Sequence, residues 1–210
     1  MAAVFTGSTA SDYGDEMKVF IVYCHPSKTS FTHQILQSFI KGLTDGGHEF
    51  VLSDLYEMDF RTDMTEDEFM RETYYRADLP VSADVKAEQD KIEAADAIVF
   101  VYPVFWTEAP AKLVGWFDRV WSCGYAYADC NMKILDKALF LAPAGKTMQS
   151  LEETGNKKAM ETVMLSDRIN QRAREKSMVF FDGITHYDEE QSAQMKPIHL
   201  EKAYRLGREF

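Results

Sequence analysis

A chain of 210 residues with 46% hydrophobic content can bury one substantial core, so a single domain over residues 17–210 is expected. Its formal net charge of -11 excludes nucleic acid or an anionic membrane surface as the main partner, because both repel such a protein at long range. Cys24, Cys123 and Cys130 are odd in number and lack CxxC spacing, which reads as reduced thiols in a cytoplasmic protein.

Residues 1–16, MAAVFTGSTASDYGDE, have neither the basic start nor the apolar stretch of a signal peptide and are expected to form a disordered extension. Lys18 to Tyr23 is short and almost wholly apolar, the pattern of a strand buried on both faces of a parallel sheet. After a polar turn, Phe31, Ile35, Leu36, Phe39, Ile40 and Leu43 mark one face of a helix that ends at Gly46-Gly47. His48 to Leu52 completes a βαβ unit. Residues 53–84 are acidic and aromatic without a clear strand, and an excursion of this length is usually functional or interfacial.

Val85 to Ala95 reads as a helix and Ala97 to Tyr102 as a buried strand. Leu113, Trp116, Phe117 and Val120 follow at helical spacing after Pro110. A strand over Ala138 to Ala142, a helical region over about 150–176, a strand over Met178 to Ile184 and a helix near 188–209 complete the chain. Strands alternating with helices predict an α/β doubly wound parallel sheet of about five strands, with helices on both faces and ligands beyond the carboxyl ends of the strands.

Within that frame, Ser27, Thr29, Ser30 and the free N–H groups of the first helix surround the position where an anion would sit, favoured by the helix dipole. The same residues also suit a plain N-cap and loop, and the sequence leaves both readings open. His25 is placed to donate a hydrogen bond there. Cys24, at a strand end before this loop, invites a nucleophile, but a phosphatase loop of the C-x5-R kind needs arginine where Ser30 stands, so a small buried thiol is expected. Ala144-Gly145-Lys146-Thr147 resembles the end of a P-loop. The first glycine of that motif is replaced by Phe140 and Pro143 cannot donate, so a turn lining another ligand fits better. His33, His48, His186 and His199 show no ligand spacing and no metal site is expected. Trp106, following a proline-broken strand end, is expected to face the ligand crevice.

The stretch AEQDKIEAADAIVFVYPVFWTEAPAKLVGWFDRVWSCGYAY over 87–127, together with HPSKTSF over 25–31 and SDLYEMDF over 53–60, closely resembles the flavodoxin-like NAD(P)H:quinone oxidoreductases. The resemblance implies a noncovalent flavin, commonly FAD with FMN as the alternative, NAD(P)H as co-substrate, a quinone-like acceptor and a homodimer sharing its active sites. Carried onto this chain, it places His25, Ser27, Thr29, Ser30 and Phe31 at the flavin phosphates and ribityl chain. Pro103, Val104, Phe105, Trp106 and Thr107 run along the isoalloxazine ring, with backbone N–H groups after Pro103 facing its heteroatoms. Pro143, Ala144 and Gly145 lie at the ring's other side, and Gln89 reaches the cofactor, from across the dimer. Trp106 and Tyr127 flank the face where nicotinamide and acceptor stack in turn, and are the expected catalytic pair.

The departures from the family pattern are specific. Pro143-Ala144 stands where animal enzymes carry paired threonines, and Gln149 and Gly155 stand where they carry a tyrosine and a histidine that assist hydride transfer. Thr107 replaces an aromatic, and Glu108 adds a negative charge. The resemblance therefore implies two-electron, ping-pong reduction of a quinone or similar electrophile. The alternatives are an FMN-dependent azo- or nitro-reductase and a flavin-binding redox-sensing regulatory subunit.

Overall fold

The computed structural model describes residues 16–185 and 187–210; the expectations for the leader over 1–15 and for His186 lie outside them. Five strands form one parallel sheet: β1 (Lys18–Tyr23), β2 (Glu49–Asp54), β3 (Ala97–Val101), β4 (Leu135–Pro143) and β5 (Ala173–Phe181), in the order β2-β1-β3-β4-β5. The order reverses direction at β1, between β2 and β3, which opens a crevice at the carboxyl ends of β1 and β3.

The central strands are apolar throughout because both their faces are covered. Val19, Ile21 and Tyr23 point to one side with Val99, Val101, Leu139 and Leu141, where α1 (Phe31–Asp45) and α7 (Glu189–Arg208) pack. Phe20, Val22, Ile98, Phe100 and Phe140 point to the other, against α3 (Ala83–Ala94) and α4 (Ala111–Val120). There Phe100 stacks on Phe140 at 4.8 Å between ring centroids and meets Trp116 edge-on at 5.7 Å. The fully buried Trp116 donates its indole N–H to Glu88 Oε2 at 2.9 Å, so its one polar atom is satisfied.

Two glycines set how α7 lies on α1. A Cβ at Gly42 would come within 2.1 Å of the Tyr204 carbonyl oxygen, and one at Gly207 within 2.2 Å of that of Phe39. The two backbones touch only because neither position carries a side chain. This contact joins the carboxyl-terminal ends of the two helices, while nearer the start of α1 the Phe31 ring lies 6.2 Å from that of His199 of α7.

The structure adds one helix to the sequence reading and shifts several bounds, β2 running to Asp54, β4 over Leu135–Pro143 and β5 ending at Phe181, short of Ile184. The excursion over 53–84 contains α2 (Glu66–Thr73), started by a capping box in which Thr65 and Glu68 bond each other's backbone N–H. The helical region is α5 (Met148–Glu153), α6 (Asn156–Glu161) and a π-helical continuation over Thr162–Ile169, ending seven residues before the expected 176. β5 accordingly begins at Ala173, not Met178. Its first half, Arg174 to Ser177, is polar and exposed at the sheet edge, so hydrophobic pattern reveals only the buried half. Among the described residues no helix is long and apolar enough to cross a membrane.

Candidate flavin cleft at the strand ends

A cleft of about 580 Å³ opens at the carboxyl end of the sheet, a size typical of small-molecule sites. His25, Ser27, Thr29, Ser30 and Phe31 line it from the β1–α1 loop, Pro103, Val104 and Phe105 from the end of β3, and Pro143, Ala144 and Gly145 from the end of β4. These residues, separate in sequence, converge because three parallel strands end at one edge.

The β1–α1 loop folds on its own side chains. His25 Nδ1 accepts the Ser27 N–H at 2.9 Å, which leaves the ring proton on Nε2. Burial pulls the His25 pKa below its usual value and so favours this neutral ring. Ser27 Oγ lies 3.0 Å from Thr29 Oγ1 and accepts the Thr29 N–H. Ser30 is the N-cap: its hydroxyl donates to the Ser27 carbonyl and accepts from His33 N–H at 3.1 Å. Capping and anion-binding are thus compatible here, because the N–H groups of Phe31 and Thr32 at the helix start have no intrahelical acceptor and both residues line the cleft.

Lys28 does not serve the cleft. Its ammonium is held by Asp54 and by Glu57 Oε2, the latter at 2.7 Å, while Asp54 Oδ1 accepts the N–H groups of Tyr56 and Glu57. Cys24 is fully buried, and burial pushes its thiol up to about 12, which removes it as a nucleophile. Thr147 of the P-loop-like tetrad caps α5 by accepting the Ser150 N–H.

At the second wall, Val104 N–H donates to the Pro143 carbonyl at 2.8 Å, so the loop after β3 stays tied to β4. Phe105 and Glu108 exchange backbone hydrogen bonds at 2.9 and 3.0 Å across a two-residue turn, and Glu108 Oε1 accepts the Ala109 N–H. Of the N–H groups expected to face a flavin ring after Pro103, those of Val104, Phe105, Glu108 and Ala109 are therefore committed within the protein. Those of Trp106 and Thr107 make no hydrogen bond among the described residues.

Four of the expected site residues lie elsewhere in the protomer. Trp106 sits at the apex of that turn with φ +59° and is 97% exposed, facing outward where the sequence reading has it facing the crevice. It lines a neighbouring groove of about 840 Å³, formed with Thr62, Met64, Pro110 and Val114. Thr107 is half-buried beside it and lines neither cavity. Gln89 is buried under α4, its amide donating to the Val120 carbonyl and to Ser122 Oγ, both at 3.0 Å. Tyr127 donates its hydroxyl to Glu72 Oε2 at 2.5 Å, and burial together with that carboxylate pushes its pKa up. Gln149 turns to Glu153 of its own helix at 2.8 Å, and Gly155 lies in a left-handed turn with φ +74°.

Sequence reasoning missed the fourth wall. Ile184 and Thr185 after β5, and Ser192 and Lys196 on α7, also line the cleft. Ser192 is buried and fixes the loop by accepting the Thr185 N–H at 3.0 Å and donating to the Thr185 carbonyl at 2.7 Å. The available signal is topological: the loop after β5 must open at the same sheet edge as the loops after β1, β3 and β4.

The family model for the flavodoxin-like fold matches residues 17–170. NAD(P)H dehydrogenase (quinone) 1 of Rattus norvegicus is 35% identical over 152 residues, covering 66% of this chain and 54% of that protein. Ribosyldihydronicotinamide dehydrogenase (quinone) of Mus musculus is 34% identical over 125 residues, covering 52% of this chain and 53% of that one. The chain thus spans about half the length of these curated relatives. Among solved structures, an NAD(P)H:quinone oxidoreductase from Methanothermobacter marburgensis is 39% identical, with 92% of this chain and 96% of that one covered at a TM-score of 0.87. An azoreductase from Bacillus anthracis shares the fold at 15% identity and a TM-score of 0.70. Matched in fold along most of its length, and in sequence by quinone-reducing enzymes, the chain belongs to the flavodoxin-like NAD(P)H:quinone oxidoreductase family.

Proposed function

We propose that the strand-end cleft binds a flavin and that the protein, working as a cytoplasmic single-domain unit over 17–210, passes two electrons from NAD(P)H to a quinone-like acceptor. One observation carries the reading: unfilled anion donors and a flat apolar wall share one cleft. The hydroxyls of Ser27 and Thr29, the N–H groups of Phe31 and Thr32 and the Nε2–H of His25 suit the phosphate, while Pro103, Phe105 and Pro143 suit an aromatic ring system. The bound flavin supplies the hydride and two-electron chemistry. The protein's part is to anchor the phosphate, to stack the ring against the prolines, and to offer the N–H groups of Trp106 and Thr107 as fixed donors where negative charge develops. Nicotinamide and acceptor use the same exposed ring face in turn, which gives ping-pong kinetics.

FAD is the favoured cofactor, with FMN the alternative. No residue of the excursion over 53–84 lines the cleft of its own protomer. Cover for an adenine half must then come from a second copy, and FAD retention and homodimerisation are expected together. Exposed Trp106, Phe69, Tyr74 and Tyr75 are the apolar surface such a copy would cover. Gln149 and Gly155 carry no ionisable group where animal relatives carry a tyrosine and a histidine, so the acceptor's proton is supplied by solvent. The three cysteines, all unpaired, suit the reducing cytoplasm.

The test is a visible absorption spectrum of the purified protein, repeated after anaerobic NADPH and then a simple quinone, with the mass of the released cofactor. Flavin absorbance that bleaches and returns supports the reading. Absorbance that never bleaches with NADH or NADPH favours the redox-sensing subunit, and protein that takes up neither FAD nor FMN rejects the flavin altogether.

A further inference from the structure

The two edges of the sheet are built differently. β5 exposes Arg174, Glu175 and Lys176 along its first half, and charges of this kind keep one sheet edge from pairing with another. β2, at the opposite edge, reads EFVLSD: it has no lysine, no proline and no bulge, and its register with β1 is unbroken. Phe50, Val51 and Leu52 on it are exposed at 38%, 53% and 37%.

Backbone direction adds to this. At either end of β2 the N–H groups of Glu49 and Leu55 donate to the Met17 and Tyr23 carbonyls at 3.0 Å, so the odd-numbered residues bond β1. By strand alternation the N–H and C=O groups of Phe50 and Leu52 point away from the sheet. Val51 shares a face with its β1 neighbour Phe20, and Phe50 and Leu52 share the other with Val19 and Ile21. Both faces of the edge are therefore apolar. Beside it, at the end of the sheet away from the flavin cleft, lies a cavity of about 700 Å³ lined by Phe50, Val51, Ala94 and Ala95. Its charges cancel: Lys18 and Lys91 stand against Glu49 and Asp90, and burial lowers the His48 pKa and favours the neutral ring. In a protein of net charge -11, a second copy meets little local repulsion on such a surface.

The edge is also self-complementary. In an antiparallel pairing about a two-fold axis at Val51, that residue faces the partner's Val51, and Phe50 faces the partner's Leu52, so apolar meets apolar on both faces. Each Phe50–Leu52 pair then exchanges both backbone bonds, which uses the free groups of both edges. An axis at Phe50 would set Val51 against the partner's Glu49, and one at Leu52 would set Phe50 against the partner's Asp54. We infer that β2 is an interface between two copies of this chain, which join edge to edge into one continuous sheet about an axis at Val51. This surface is separate from the one around Trp106 and does not depend on the flavin.

The experiment starts from Cys130→Ser, which removes the exposed native thiol and leaves two buried ones. In that background Val51→Cys should give a disulfide-linked dimer with copper phenanthroline, read on a non-reducing gel, because the paired Cα atoms lie about 4.5 Å apart in this register. Glu49→Cys should not link, since its two copies lie about 14 Å apart. Without cross-linking, sedimentation should give Val51→Lys half the mass of the wild type, whatever other interface the protein forms, with thermal unfolding as a check on folding. Should that variant misfold, the cysteine pair decides alone. Linkage of Glu49→Cys as readily as Val51→Cys, or of neither, overturns the inference. Equal masses for wild type and folded Val51→Lys overturn it too and leave the edge to a strand of a different protein. A mass that doubles only after residues 1–15 are removed would overturn it in favour of the chain's own leader.

Discussion

The strand-end cleft and the excursion over 53–84 are both rich in polar groups, and they use them in opposite ways. In the excursion the buried charges meet partners. Arg119 of α4, its side chain wholly buried, donates to Asp84 Oδ2 at 2.6 Å, Glu68 Oε1 at 2.7 Å, Ser82 Oγ at 2.9 Å and the Arg61 carbonyl at 2.7 Å. Arg61 grips Glu68 with two further bonds, and Arg119 lies over the Phe60 ring. In the cleft, the N–H groups of Phe31 and Thr32 and the ammonium of Lys196 make no hydrogen bond or ion pair among the described residues. Polar groups that satisfy one another hold a segment in place; polar groups left without partners at a converging cleft are available to a ligand.

Breaking Arg119 is the sharpest way to separate the two roles. Arg119→Met leaves Glu68 and Asp84 without their buried partner and should cost about 3–5 kcal/mol, read as a lower urea midpoint with unchanged slope. Flavin affinity per folded molecule should stay within about threefold, since the latch does not touch the cleft. The same network predicts acid sensitivity. Arg119 holds Asp84 down to about 2 against the opposing effect of burial. For Glu68, Arg61 and Arg119 outweigh burial and keep its carboxyl well below the usual range. Both pKa values are depressed by folding, so their stabilisation is complete above the unfolded value of roughly 4 and is lost as pH falls from there toward 2. Thermal unfolding should change little between pH 7 and 5 through these groups and fall steeply below pH 4.

Gly207→Ala acts on the cleft through the helix that carries its fourth wall. The added methyl meets the Phe39 carbonyl oxygen at 2.2 Å, so α7 must move off α1 at a cost of about 1–3 kcal/mol. Because Ser192 and Lys196 ride on α7, flavin affinity should fall along with melting temperature. Stability loss without affinity loss would show that α7 does not position the cleft. Ser30→Ala is smaller: losing the N-cap costs about 1 kcal/mol, and its carbonyl tie to Ser27 goes too, so FMN affinity should drop more than riboflavin affinity.

What the sequence reveals follows the same division. The central strands are legible because parallel strands covered on both faces become continuous apolar runs, whereas the β1–α1 hydroxyls read equally as an N-cap, which Ser30 is, until the cleft around them is seen. Arg119 is not legible, since an arginine in GWFDRVW reads as a surface charge until Glu68 and Asp84 are known to fold over it. Ser192 and Lys196 are hidden in a polar helix, and their place at the cleft comes from the strand-end topology. Tyr127 is legible by family position, yet Glu72, an unremarkable acid in an irregular stretch, claims its hydroxyl.

Trp106 offers the smallest effect on stability and tests the boundary between the two regions. Its backbone occupies a left-handed conformation, φ +59°, at a turn position where glycine is the unstrained choice, and the indole makes almost no packing contact in return at 97% exposure. Trp106→Gly should therefore stabilise the protomer by up to about 1 kcal/mol, because it relieves strain and removes no core. If the indole is kept for the neighbouring flavin and a second copy, the same variant should retain less flavin and dimerise less, measured by absorbance after gel filtration and by sedimentation. A variant that gains stability while keeping full flavin occupancy and dimerisation would separate Trp106 from the site. The strained turn would then belong with the self-satisfied excursion, and the cleft would end at Phe105.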